Sequence, residues 1–309
     1  MTTTTAPQKT DDRIWAVLAH GSALLFVLGP LISLVVWATQ RRKSAYASFH
    51  ALQAMSCQVA AYWLWILAIP LMIILPVLVV IGFAVAGAGS GDEPAALFIA
   101  MQAAMFGSIF GTLALYVLLG VLGGALCLAG REFRYPVIGK RLARFLGYHP
   151  GEAAPLNEAQ EDRLVASVGH ANAIVTLWGL IFPLVVWISQ KDRSPLLRFQ
   201  SLQALIYQGI GAIAYFGTMA IYMIFIFGWM FLVLANPETA NSPDAFAASL
   251  APMLVFGFVY FVLGPIFLFF AVLAAVRILR GHDYRYPILG NQLARRMTLS
   301  ASAAPEAPQ

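Results

Sequence analysis

Charge is scarce in this chain. Lys and Arg number 19 and Asp and Glu 14 among 309 residues, so only 11% are charged, against about a quarter in soluble domains. Six intervals contain none of these four residue types: 14–40, 44–91, 94–130, 164–190, 199–237 and 245–276. Together they cover 210 residues, and each exceeds the roughly 20 residues that cross a bilayer core. A secreted enzyme, a nucleic-acid module and a disordered scaffold are thereby excluded. Cysteine is nearly absent as well. Cys57 and Cys127 both lie inside charge-free intervals; they read as small packing residues, and no disulfide framework follows from them. Carboxylates are missing from the apolar intervals, whereas proton- and sodium-coupled carriers commonly place an acid in the membrane. There is no His-Glu-x-x-His helix, no Gly-x-Ser-x-Gly elbow and no phosphate-cradling glycine loop. No catalytic, cofactor-binding or metal-ligating set is therefore expected. Residues 1–12 are Thr-rich with two acids and one Lys, unlike the basic start of a cleavable signal.

What is present is a duplication. Residues 12–54 align with 162–204 without a gap, with 16 identities in 43 positions, including Asp12/Asp162, Arg13/Arg163, His20/His170, Gly29/Gly179, Trp37/Trp187 and Leu-Gln-Ala at 52–54 and 202–204. Gln58/Gln208 keeps that offset of 150. Gly130–Arg144 matches Gly281–Arg295 at offset 151, with 8 identities in 15. The expected fold is all-α: a polytopic integral membrane protein built from two fused three-segment repeats. Repeat one is placed at 11–147 and repeat two at 161–297, joined by a solvated linker at 148–160. Disordered ends are expected at 1–10 and 298–309.

The net charge of +5 comes from basic residues flanking apolar segments, which is the positive-inside pattern rather than a nucleic-acid surface. In both copies the loop after segment one is basic (Arg41, Arg42, Lys43; Lys191, Arg193, Arg198), as is the tail after segment three. The loop between segments two and three is acidic in both (Asp92, Glu93; Glu238, Asp244). Three full crossings per copy would invert the second copy and contradict this shared bias. An inverted repeat, as in many transporters, is one resolution. The preferred one is a re-entrant or sharply bent first segment, broken at Gly29-Pro30 and at Gly179 or Pro183. Segment two is too long for one crossing, so Ser44–Gln53 and Ser194–Gln203 are expected to form short interfacial helices.

Two polar sets stand out. His20 and His170 each follow an Arg by seven residues; they read either as proton-responsive or as hydrogen-bonded to a facing helix. Gln53, Gln58, Gln203 and Gln208 either line a water-filled path or act as interhelical glue. Trp37, Trp187, Arg134, Tyr135, Arg285 and Tyr286 read as interface anchors, with the Arg residues suited to anionic headgroups. Gly107-x-x-x-Gly111 and Gly120-x-x-x-Gly124 permit close helix approach.

The order Arg…His, Pro-Leu-Val-Val-Trp followed by basic residues, Gln-Ala-x-x-x-Gln, then Gly…Tyr-Arg-Tyr-Pro resembles a small bacterial membrane domain. That domain is related to the chloroplast Tic-type import component and to MamF/MmsF-type magnetosome membrane proteins. Copy two carries Pro183–Trp187 intact, whereas copy one has Ser33 in the Pro position. The resemblance implies a few-spanning helical unit without catalytic residues. The expected role is a non-enzymatic scaffold or translocon-like component of a bacterial inner membrane, with the lipid bilayer and a membrane protein as partners. The alternative is a small-solute or ion pathway between the repeats.

Overall fold

The computed structural model describes residues 9–85, 93–152, 154–236, 238 and 243–302. It is helical, with no strand among the described residues. The expected disordered ends fall largely on 1–8 and 303–309, outside the described residues, as does Asp92. The chain divides into two units, Met1–Glu161 and Asp162–Gln309.

Repeat one contains α1 (Thr10–Gly21), α2 (Gly29–Gln40), α3 (Ala45–Val85), α4 (Glu93–Leu128) and α5 (Ile138–Leu146). Repeat two contains α6 (Glu158–Ala171), α7 (Ile181–Gln190), α8 (Pro195–Ala235), α9 (Pro243–Phe258), α10 (Gly264–Leu279) and α11 (Leu289–Ser302). A π-helical turn, Val259–Leu263, joins α9 to α10, just ahead of Pro265, whose missing N–H cannot continue an α-helical ladder. Among the described residues five stretches are long and apolar enough to span a bilayer: Thr10–Gln40, Ala45–Ala68, Phe98–Leu128, Pro195–Ala235 and Pro252–Leu279. Trp178–Gln190 is a shorter apolar helix.

The first of these does not run straight. A 3₁₀ segment, Ser22–Leu28, separates α1 from α2, and Phe26 within it has φ 38° and ψ −97°. The Ser33 hydroxyl donates to the Ala19 carbonyl at 3.0 Å. Fourteen residues of continuous helix would hold those groups about 20 Å apart, so the segment folds back on itself as a hairpin. Each arm is 12 residues long, or about 18 Å, short of a 30 Å hydrocarbon core. Repeat two breaks at the matching position: Thr176 has φ 49° and ψ −111°, and the Phe182 ring lies beside Gly169. The expected breaks at Gly29-Pro30 and at Gly179 or Pro183 are corrected to Phe26 and Thr176, three residues ahead of each glycine. Pro30 sits in the first turn of α2, where its fixed φ and missing N–H suit a helix start.

A first segment that turns back would leave each repeat with two full crossings, and the shared charge bias would then need no inversion. Single cysteines at Ser44 and at Ser194, in a chain lacking Cys57 and Cys127, should both react with an impermeant maleimide from the cytoplasmic side only. Opposite accessibility of the two positions would establish inversion.

Two other expectations are corrected. Ser44–Gln53 and Ser194–Gln203 are not separate short helices. They open the 41-residue helices α3 and α8, and in repeat one Tyr46 through Met55 are buried beneath the hairpin and α5. The linker is not wholly solvated either. Tyr148 stacks on Phe49 with ring centroids 4.0 Å apart, and Leu156 is buried. The exposed large apolar side chains, such as Leu64, Leu67, Ile81, Phe98, Phe110 and Leu118, lie farther along α3 and α4, where lipid contacts them.

Candidate functional site: the buried polar cluster of each repeat

In repeat one α4 ends at a left-handed glycine. Gly130 has φ +73°; its N–H donates to the Cys127 carbonyl at 3.0 Å, and Arg131 N–H donates to Leu126 at 2.9 Å. This is a Schellman closure, and the Arg13 guanidinium lies against Gly130. Gly281, at φ +89°, repeats it, with His282 N–H donating to Arg277 at 3.0 Å and Arg163 against the glycine. The turn sends the Tyr-Arg-Tyr-Pro or Phe-Arg-Tyr-Pro strap back across the helices. A glutamine one turn along from His50 or Gln200 clamps that strap. Gln53 Nε2 donates to the Phe133 carbonyl at 3.1 Å, and its Oε1 accepts from Tyr135 N–H at 3.2 Å. Gln203 does the same to Tyr284 and Tyr286, at 3.2 and 3.1 Å.

Behind the strap lie the histidines. His170 is wholly buried; its Nδ1 is 3.0 Å from the Tyr286 hydroxyl and its Nε2 3.1 Å from Gln200 Oε1. Gln200 Nε2 donates to the Tyr284 carbonyl at 3.1 Å and to Asp283 Oδ1 at 3.3 Å. Gln200 Oε1 is thus an acceptor, so His170 carries its proton on Nε2 and accepts the tyrosine hydroxyl at Nδ1. Every polar atom of the ring is satisfied.

Repeat one keeps the tyrosine and changes the rest. His20 Nδ1 is 3.1 Å from the Tyr135 hydroxyl, and its Nε2 is 2.9 Å from His50 Nδ1. Cys127 Sγ is 3.6 Å from that same His50 nitrogen. His50 Nε2 faces Glu132 Oε2 at 3.8 Å. His20, His50 and Cys127 are all fully buried. Gly120 and Gly123 let α1 come this close: a Cβ at Gly120 would stand 2.9 Å from the His20 carbonyl, and one at Gly123 3.1 Å from His20 Cγ. The Gly120-x-x-x-Gly124 spacing therefore serves packing inside the repeat, while Gly107 and Gly111 face nothing within 4 Å.

The structure distributes the residues singled out in the sequence as follows. Gln58 donates to Ser22 Oγ at 3.0 Å and Gln208 to the Gly169 carbonyl at 2.7 Å; each ties the second segment to the hairpin of its own repeat. Trp37 is fully buried; its indole donates to Glu161 at 3.2 Å, and Arg41 lies 4.8 Å over its ring. Tyr135 and Tyr286 are buried as well. These three are core residues and not interface anchors, because the strap and the hairpin fold their polar tips onto internal partners. Trp187 is half-buried, with Lys191 Nζ 4.8 Å over its ring. Arg134 faces Glu132 at 3.6 Å, and the exposed Arg285 pairs with Asp283 at 3.1 Å. No spacing in the sequence joins His50, Cys127 and Glu132, since 77 residues separate the first two.

A family model for the magnetosome magnetite crystal formation proteins (MamF/MmsF) matches residues 11–143 and again 161–293. The chain belongs to this family. It holds two tandem copies of the MamF/MmsF unit, and both clusters fall inside matched segments. No curated protein and no solved structure matches the chain. As a MamF/MmsF member with long apolar helices it is an integral membrane protein in contact with lipid.

Proposed function

We propose that the chain is a non-enzymatic scaffold or translocon-like component of a bacterial inner membrane or a membrane derived from it. On the family's description, it would act where magnetite crystals form. One observation carries the reading. Gln53, Gln203, His20 and His170 commit both of their polar ends to hydrogen bonds within their own repeat, and Gln58 and Gln208 commit their amide nitrogens. Residues lining a water-filled path would leave donors and acceptors facing the path; here they hold strap and hairpin to the long helices.

The test is transport in reconstituted vesicles. Proteoliposomes should leak an entrapped pH dye or small solute no faster than empty vesicles, while cross-linking in cells should recover a membrane-protein partner. Flux above the empty control that Gln58→Leu and Gln208→Leu abolish would establish a pathway instead. The basic ends of the repeats support attachment to anionic lipid, at about 1 kcal/mol per residue near the surface. Arg134→Gln with Arg285→Gln should weaken retention on phosphatidylglycerol vesicles by roughly tenfold or more and leave helicity in neutral detergent unchanged. Unchanged retention would assign these arginines to their Glu132 and Asp283 partners alone.

A further inference from the structure

We propose that His20 Nε2, His50 Nδ1 and Cys127 Sγ of repeat one form a buried site for a transition-metal cation that favours thiolate and imidazole, with Zn2+ as its representative. The three donor atoms lie within 4.8 Å of one another. Cys127 Sγ and His50 Nδ1, 3.6 Å apart, already stand at the roughly 3.3–3.8 Å between neighbouring ligands of tetrahedral zinc, and the two imidazole nitrogens, hydrogen-bonded at 2.9 Å, would need to part by about half an ångström to reach it. Two imidazoles and one thiolate suit Zn2+ and Cu+, not Mg2+ or Ca2+.

The surroundings match what such a centre needs. Each imidazole turns its other nitrogen to an outer partner: His20 Nδ1 to the Tyr135 hydroxyl at 3.1 Å, and His50 Nε2 to Glu132 at 3.8 Å. Groups in those places fix the tautomer and orientation of metal-bound histidine. The local charges are also favourable. On binding, the Cys127 thiol loses its proton to solvent, and the thiolate, with the Glu132 carboxylate that Arg134 also faces at 3.6 Å, offsets much of the charge of a divalent ion that would otherwise be costly to bury. Glu132 is the most exposed member, with a quarter of its side chain open (24%), so the cation has a way in. Three protein donors leave a fourth position for water or a small ligand.

Repeat two shows what the scaffold needs without a metal. Gln200 stands where repeat one has His50, and Ile278 where it has Cys127. The histidine–tyrosine bond and the glutamine clamp are kept. Packing alone therefore requires neither the second imidazole nor the thiol. Both departures in repeat one place a metal donor at the same point.

The experiment uses the full chain in detergent, stripped with chelator and titrated with Co2+ and then Zn2+. One equivalent of Co2+ should bind with a thiolate-to-cobalt charge-transfer band, and Zn2+ should bleach it. His50→Gln with Cys127→Ile, which writes the repeat-two residues into repeat one, should keep helicity and metal-free thermal stability and lose the band. Cys127→Ala should lose it too, and provides the test should the double variant fail to fold. Tyr135→Phe should weaken Zn2+ binding about 10- to 100-fold. Absence of stoichiometric Co2+ binding by the wild-type chain, or an undiminished band in Cys127→Ala, would overturn the proposal.

Discussion

Gln53→Ala is expected to cost about 2–4 kcal/mol, since it unpairs two buried backbone groups at once. The amide donates to the Phe133 carbonyl and accepts from Tyr135 N–H, and each buried group left unpaired costs about 1–3 kcal/mol. Gln203→Ala should behave alike, because it frees Tyr284 and Tyr286. The clamp also explains two glycines. A Cβ at Gly139 or Gly290 would collide with the clamping Oε1 of Gln53 or Gln203, and would come within 2.7 Å of Arg134 or Arg285 Cβ. Gly139→Ala and Gly290→Ala should therefore destabilise by about 1–3 kcal/mol through forced displacement. Reversible unfolding in mixed micelles measures all four. A loss below about 0.5 kcal/mol, the level of an ordinary surface change, would mean that the strap is held by something other than the clamp.

Gly120→Leu should be at least as severe. Its Cβ alone would stand 2.5 Å from Ala23 Cβ and 2.9 Å from the backbone oxygen of His20. No rotamer avoids both, so α1 must move off α4, at about 1–3 kcal/mol or more for an overpacked site. The displacement carries His20 with it, so Co2+ binding should fall together with stability. Gly107→Leu is the matched control on the same helix, because nothing lies within 4 Å of that position. It should be neutral or slightly stabilising, given the low helix propensity of glycine. Equal loss in the two variants would show that the effect is on α4 itself and not on its contact with α1.

Much of this architecture is legible in the residues. The charge-free intervals mark the membrane segments, and the offsets of 150 and 151 mark the duplication and both histidines. Shared charge bias combined with three apolar segments per copy already favours a first segment that turns back. The position of the turn is not legible, because the residues that take positive φ are Phe26 and Thr176, whose side chains disfavour it, while the glycine and proline nearby begin the next helix. Tyr135 and Tyr286 mislead for a related reason. Their amphipathic rings suit a headgroup as well as a buried histidine, and only the strap's path decides between them. His50 and Cys127 are ordinary residues in apolar surroundings until α3 and α4 bring them together.

The hairpin has a mechanical consequence. The long helices take up equal cross-section in both halves of the bilayer. A hairpin with 12-residue arms and a tip of exposed Leu24, Leu25 and Leu28 takes up area in one leaflet and little in the other. Repeat one would therefore widen one monolayer relative to its opposite, and a membrane relieves that mismatch by bending. Taken by itself, such a repeat inserts at lower cost where the surrounding sheet bulges outward on the side of the leaflet that holds its hairpin.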